Sequence, residues 1–92
     1  DRCALSPTYN RDSIFISINT LNYFERSDQF YHEFYAVMEQ FDARPHWAKT
    51  NFLNKQVIDQ LYGERARAFD ALRQKLDPDN IFANDFITRC FG

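Results

Sequence analysis

Only two glycines and three prolines punctuate the 92 residues, and where they fall decides which stretches can run on as helix. Pro45 stops any helix begun before it, Gly63 supplies the left-handed geometry that ends one, and Pro78 follows the close of another. Ser27 and Asp28 read as a start, a hydroxyl for free N–H groups followed by a carboxylate at the positive end of the helix dipole. Phe30, Phe34, Val37, Met38 and Phe41 then recur at helical spacing with Tyr31 and Tyr35 beside them, so the spacing predicts a helix over 28–41 with that stripe inward. Val57, Ile58 and Leu61 predict a short amphipathic helix ending at Gly63. Another spans 64–76, with Ala68, Phe69, Leu72 and Leu76 inward and Arg65, Arg67, Arg73 and Lys75 outward. Asp77-Pro78-Asp79-Asn80 composes a turn, and Asn84 can cap a last helical turn over 86–90.

The stretch before Ser27 has a different grain. Ser6-Pro7 and Asn10-Arg11-Asp12 carry turn chemistry, after which Ile14, Ile16 and Ile18 alternate with Ser13, Phe15, Ser17 and Asn19. That alternation predicts a strand over 13–19, its second face polar apart from Phe15. The sum is an α+β chain with one to three strands and about four helices, too short for two domains. With 45% hydrophobic residues and 26% charged, it has the means to bury a core and lies far from the composition of disordered segments.

Several chemistries are excluded by what the chain lacks. Eleven Lys and Arg are interspersed among thirteen Asp and Glu, which leaves no basic face for a nucleic acid partner. Gly63 and Gly92 are too far apart to build a phosphate-cradling loop, and no Gly-x-Ser-x-Gly nucleophile turn is present. His32 and His46 have no metal-ligand spacing, so no metal is expected. Cys3 and Cys90 leave two readings open, a disulfide clipping the ends or two reduced thiols.

What remains is Arg44-Pro45-His46-Trp47-Ala48-Lys49, which gathers two cations, an imidazole and the one tryptophan into six residues of a predicted loop. This run resembles the Arg-Pro-His-Trp-(Gly/Ala)-Lys signature of the aldonolactone oxidoreductases, the flavoenzymes that include L-gulono-1,4-lactone oxidase, D-arabinono-1,4-lactone oxidase and the alditol oxidases. Two further blocks stand in family order. Leu5-Ser6-Pro7-x-Tyr9-x-Arg11-Asp12-Ser13 is similar to the family's Leu-Ser-Pro…Arg-Asp-(Ser/Thr) segment, and Leu76-Asp77-Pro78-Asp79-Asn80-Ile81-Phe82-x-Asn84 to its Leu-Asp-Pro-x-Gly-x-Phe-x-Asn. Asn80 replaces the usual glycine, which asks it for a positive φ that asparagine tolerates.

The resemblance implies a helix-rich C-terminal part of an antiparallel-sheet substrate domain, residues 1–92, in an enzyme that oxidises a sugar-derived 1,4-lactone or polyol. FAD would be bound mainly by an N-terminal domain outside these residues, on the same protein or a partner chain, and the isolated chain would be inactive. By position in the motif, Lys49 is the catalytic candidate, a cation to stabilise negative charge near the flavin N1 and C2 carbonyl or to hold a substrate hydroxyl. His46 is a candidate for substrate or cofactor binding, Trp47 for a flat wall at the cofactor, and Asn19 for a substrate contact from the strand. Arg44 and Pro45 shape the turn, while Arg11 and Asp12 pair to anchor the first loop. A second hypothesis is an autonomous structural or protein-binding module that keeps the scaffold without catalysis. Either way, apolar surface left uncovered in the isolated chain favours self-association.

Overall fold

The computed structural model describes residues 2–21 and 25–92. Its regular elements among the described residues are four helices, α1 (Ser27–Glu39), α2 (Lys55–Tyr62), α3 (Glu64–Leu76) and α4 (Asp85–Phe91). The expected α+β class is therefore corrected to helix-only: residues 13–19 form no strand. Alternation supplies a strand with faces but not with a partner, and no described backbone group bonds to this row of N–H and C=O groups. Ile14, Phe15 and Ile16 accordingly stand 85%, 75% and 55% exposed.

The chain divides into two compact units, Asp1–Phe52 and Leu53–Gly92. In the first, α1 starts one residue earlier than expected and ends two earlier. Ser27 is its first helical residue rather than its cap; Arg26 occupies the cap position and no side chain bonds there. Asp42, at φ 49°, turns the chain out of the helix, and the Ala43 N–H reaches back to the Met38 carbonyl at 3.3 Å.

The inward face of α1 also lies one residue round from the expected stripe. Tyr31, Phe34, Tyr35 and Met38 are half-buried, whereas Phe30, Val37 and Phe41 are exposed. The tyrosines win these places because each finds a partner: the Tyr31 hydroxyl meets Thr20 Oγ1 at 2.9 Å, and Tyr35 stands edge-on to Phe52, with centroids 5.2 Å apart. His32 lies flat on the same Phe52 ring, with centroids at 3.8 Å.

The second unit holds every buried residue described: Leu53, Ile58, Tyr62, Ala66, Cys90 and Phe91. Here α2 packs against both α3 and α4. Asparagine caps open two of the helices, Asn84 as its sequence position predicts, accepting from the Ile87 N–H, and Asn54 accepting from the Val57 N–H, both at 3.0 Å. On α3 the expected apolar stripe is corrected. Ala66 is buried and Phe69 half-buried against Phe91, with ring centroids 5.1 Å apart, while Ala68 is exposed and Leu72 and Leu76 stand 55% and 74% exposed. An ion pair, Arg73 Nε to Asp70 Oδ1 at 2.9 Å, completes the inward face where leucines were expected.

The Asp77–Asn80 turn explains why an asparagine can replace glycine. Asn80 does take a positive φ of 54°, and its side-chain oxygen accepts from Arg73 Nη1 at 2.7 Å, a bond glycine cannot make. The Asp77 carboxylate meanwhile accepts the N–H groups of Ile81 and Phe82 at 2.8 and 2.9 Å.

Gly63 joins α2 to α3 at φ 53°, ψ −127°, a conformation that side chains oppose. A Cβ there would meet nothing closer than the Asp59 carbonyl at 3.9 Å, so space is not the obstacle. Gly63→Ala is expected to lower the stability of this unit by about 1–3 kcal/mol through backbone strain alone, read from a urea titration of helicity.

Cys3 is exposed in the first unit and Cys90 is buried in the second. Burial pushes the Cys90 thiol pKa up, against a smaller opposing pull from Arg89.

Candidate functional site

The turn over residues 44–49 lies in the first unit. The turn itself is closed by Lys49 N–H donating to the His46 carbonyl at 3.1 Å and by Ala48 N–H donating to His46 Nδ1, also at 3.1 Å. Asn51 holds the far side, its Nδ2 donating to the carbonyls of Trp47 at 3.1 Å and Lys49 at 2.8 Å. These bonds use backbone groups, the His46 ring and the Asn51 amide, so the Lys49 ammonium is not consumed in shaping the turn. Lys49 and His46 are exposed and Trp47 is half-buried.

The His46 contact fixes a tautomer. An imidazolium has no lone pair with which to accept, so the Ala48 bond requires a neutral ring with its proton on Nε2. His46 thus presents an N–H donor outward. Nitrogen-detected NMR at pH 8 is expected to show His46 in the Nε2–H form; an Nδ1–H tautomer would break this account of the turn.

Behind the turn stands a set of bonds that the sequence did not reveal. Arg44 Nη1 donates to the carbonyls of Tyr9, Pro7 and Ser6 at 3.0, 3.3 and 3.5 Å. In return, Arg11 donates from Nη1 to the Asp42 carbonyl at 3.0 Å and from Nε to the Pro7 carbonyl at 3.2 Å. Arg11 therefore anchors the first loop through carbonyls, and no ion pair joins it to Asp12. Asn51 and Asp42 were equally invisible. Their only signal is residue type, since asparagine and aspartate favour side-chain-to-backbone bonds and left-handed turns.

Of the predicted site residues, the structure brings His46, Trp47 and Lys49 together in one turn. Asn19 is exposed on the irregular segment, and no hydrogen bond links it to them among the described residues.

A sequence model of the D-arabinono-1,4-lactone oxidase family matches residues 1–90. The chain belongs to that family. Curated relatives agree: an L-gulono-1,4-lactone dehydrogenase of Mycobacterium tuberculosis is 30% identical over 92 residues, covering 100% of this chain and 21% of the relative. An L-gulonolactone oxidase of Mus musculus is 28% identical over 94 residues, 99% of this chain and 21% of its own length. An alditol oxidase of a Streptomyces species is 28% identical over 83 residues, 90% of this chain and 20% of its own. The chain thus spans about a fifth of the length of these oxidases and dehydrogenases. No solved structure matches.

Within this family the three sequence blocks acquire a spatial meaning. The first and second are bonded to each other through Arg11 and Arg44, and the third is the Asp77-centred turn of the other unit.

Proposed function

We propose that the chain is the C-terminal part of the substrate domain of an FAD-dependent oxidoreductase acting on a sugar-derived 1,4-lactone or polyol, and that residues 46–49 line its reaction site. The observation that supports this most directly is the fixed turn, which holds its own backbone in place and leaves the Lys49 ammonium and the His46 Nε2–H exposed beside the half-buried Trp47.

Such a set fits one edge of a flavin. Two donors and no acceptor suit the acceptor atoms N1 and the C2 carbonyl, and a flat ring suits the plane beside them. It does not suit the rest of FAD, since the glycines offer no cradle for the pyrophosphate. The remainder of the cofactor belongs to a separate FAD-binding domain.

When bound, FAD supplies a two-electron acceptor for hydride from the carbon that carries the oxidised hydroxyl. The Lys49 ammonium stabilises the negative charge that this transfer builds up, and it does so most strongly where water is excluded. Trp47 supplies apolar surface that keeps water away. His46 donates its Nε2–H to an acceptor oxygen of the substrate or cofactor, with no proton transferred, because its other nitrogen is held by Ala48. The 92-residue chain alone is expected to oxidise neither lactones nor polyols.

The test is a visible absorption spectrum and intact mass of the native protein, captured from its source by an antibody to this segment. A flavin band near ~450 nm on a chain several times larger, bleached anaerobically by a lactone or polyol, is the expected result. A colourless chain with no flavoprotein partner would overturn the proposal.

A further inference from the structure

The two arginines behind the turn do more than fill space. Arg44 leaves the same loop as the candidate site and ends on three carbonyls of residues 6–9, while Arg11 leaves that region and ends on the carbonyl of Asp42, two residues before Arg44. Each segment thus lends a guanidinium to the backbone of the other, and the Pro7 carbonyl accepts from both. The anchors lie at special backbone positions. Asp42 is left-handed at φ 49°, where the chain leaves α1, and Asn10 is left-handed at φ 52°, where the first loop reverses.

We propose that Arg11 and Arg44 are positioning residues, a reciprocal clamp that sets the register of the His46–Lys49 turn and so, on the oxidoreductase reading above, the place of the Lys49 charge. The chemistry requires arginine at both ends. Arg11 uses two arms of its guanidinium fork, Nε and Nη1, while Arg44 reaches its three carbonyls through Nη1 at the far end of its own; a lysine ammonium keeps the charge but sits on a stem one bond shorter and offers no fork. Because the clamp joins the two ends of a route that runs through α1, either arginine alone secures it incompletely, and the effects of the two substitutions are not additive.

Trp47 is the only tryptophan of the 92 residues, so its fluorescence reports on this turn and on nothing else. In this chain, Arg44→Lys is expected to raise the acrylamide quenching constant of Trp47 at least about twofold with far-UV helicity unchanged, as befits a local opening. Millimolar guanidinium is expected to restore quenching to the wild-type value in Arg44→Ala. Arg67→Lys, whose partner is Glu64 on the exposed side of α3, is expected to change nothing. If Arg44→Lys loses helicity, Arg11→Lys decides in its place, since Arg11 is exposed and its removal opens no cavity.

Unchanged quenching in the folded lysine variant overturns the clamp. In the flavin-loaded protein the same Arg44→Lys change is expected to lower kcat up to about 100-fold with KM little altered, the mark of a misplaced group rather than a lost binding contact. Increased Trp47 quenching in a protein that oxidises no lactone or polyol supports the clamp and removes the oxidoreductase reading instead.

Discussion

Lys49→Ala in the flavin-loaded protein is expected to slow anaerobic flavin reduction by substrate about 10²–10³-fold, the loss seen when one preorganised charge-stabilising group is removed. The structure makes the substitution clean. The only bonds Lys49 makes in the turn are through its backbone, N–H to the His46 carbonyl and carbonyl from the Asn51 amide, and alanine keeps both. Far-UV helicity and Trp47 quenching should therefore match the wild type while the rate falls. Lys49→Arg retains the charge but carries it on a longer, planar head, so a partial recovery is expected. Stopped-flow absorbance at ~450 nm measures all three proteins. A normal reduction rate in Lys49→Ala would remove Lys49 from the mechanism and shift the burden to the His46 donor.

That Lys49, His46 and Trp47 share one turn was legible because they are neighbours in sequence and Pro45 stops the preceding helix from running into them. What holds the turn was not. Arg44 finds its carbonyls 35 to 38 residues away, and Arg11 reaches across 31, separations that no local pattern encodes. The helices show the same division. The bounds of α3 follow from Gly63 and Pro78, and the cap of α4 from Asn84, all local chemistry. Which face of a helix turns inward depends on its neighbour. On α1 the tyrosines displaced Phe30 and Phe41 because Thr20 and Phe52 offered them partners. On α3 the Arg73–Asp70 pair occupied ground that periodicity gave to Leu72 and Leu76. The strand over 13–19 failed for the strongest form of this reason. A helix satisfies its backbone within itself, whereas a strand must be satisfied by another strand, and none of the described residues supplies one.

Ile58→Ala is the substitution expected to cost the fold most. Ile58 is 1% exposed on α2, the helix that packs against both α3 and α4, so its side chain lies where the second unit has most to lose. Deleting a buried isoleucine down to the β-carbon costs about 2–5 kcal/mol, from lost transfer energy and the cavity left behind. A unit with six buried residues has little stability to spare. Cys90 supplies the measurement, since it is wholly buried in the same unit and burial raises its thiol pKa, so attack by a disulfide reagent requires the unit to open. In the wild type at pH 8, Cys3 should label at once and Cys90 slowly. In Ile58→Ala the Cys90 rate should rise by about 30-fold or more, each 1.4 kcal/mol being a factor of ten in the open population. The raised pKa adds a pH dependence of known sign. The folded state holds the Cys90 proton more tightly than the unfolded one, so this contribution is complete below the unfolded thiol pKa and is lost as pH rises through the folded one. Labelling should therefore accelerate with pH beyond the gain in thiolate alone. An unchanged Cys90 rate in Ile58→Ala would mean that the thiol is reached without opening this core, and the packing of α4 against α2 would have to be redrawn.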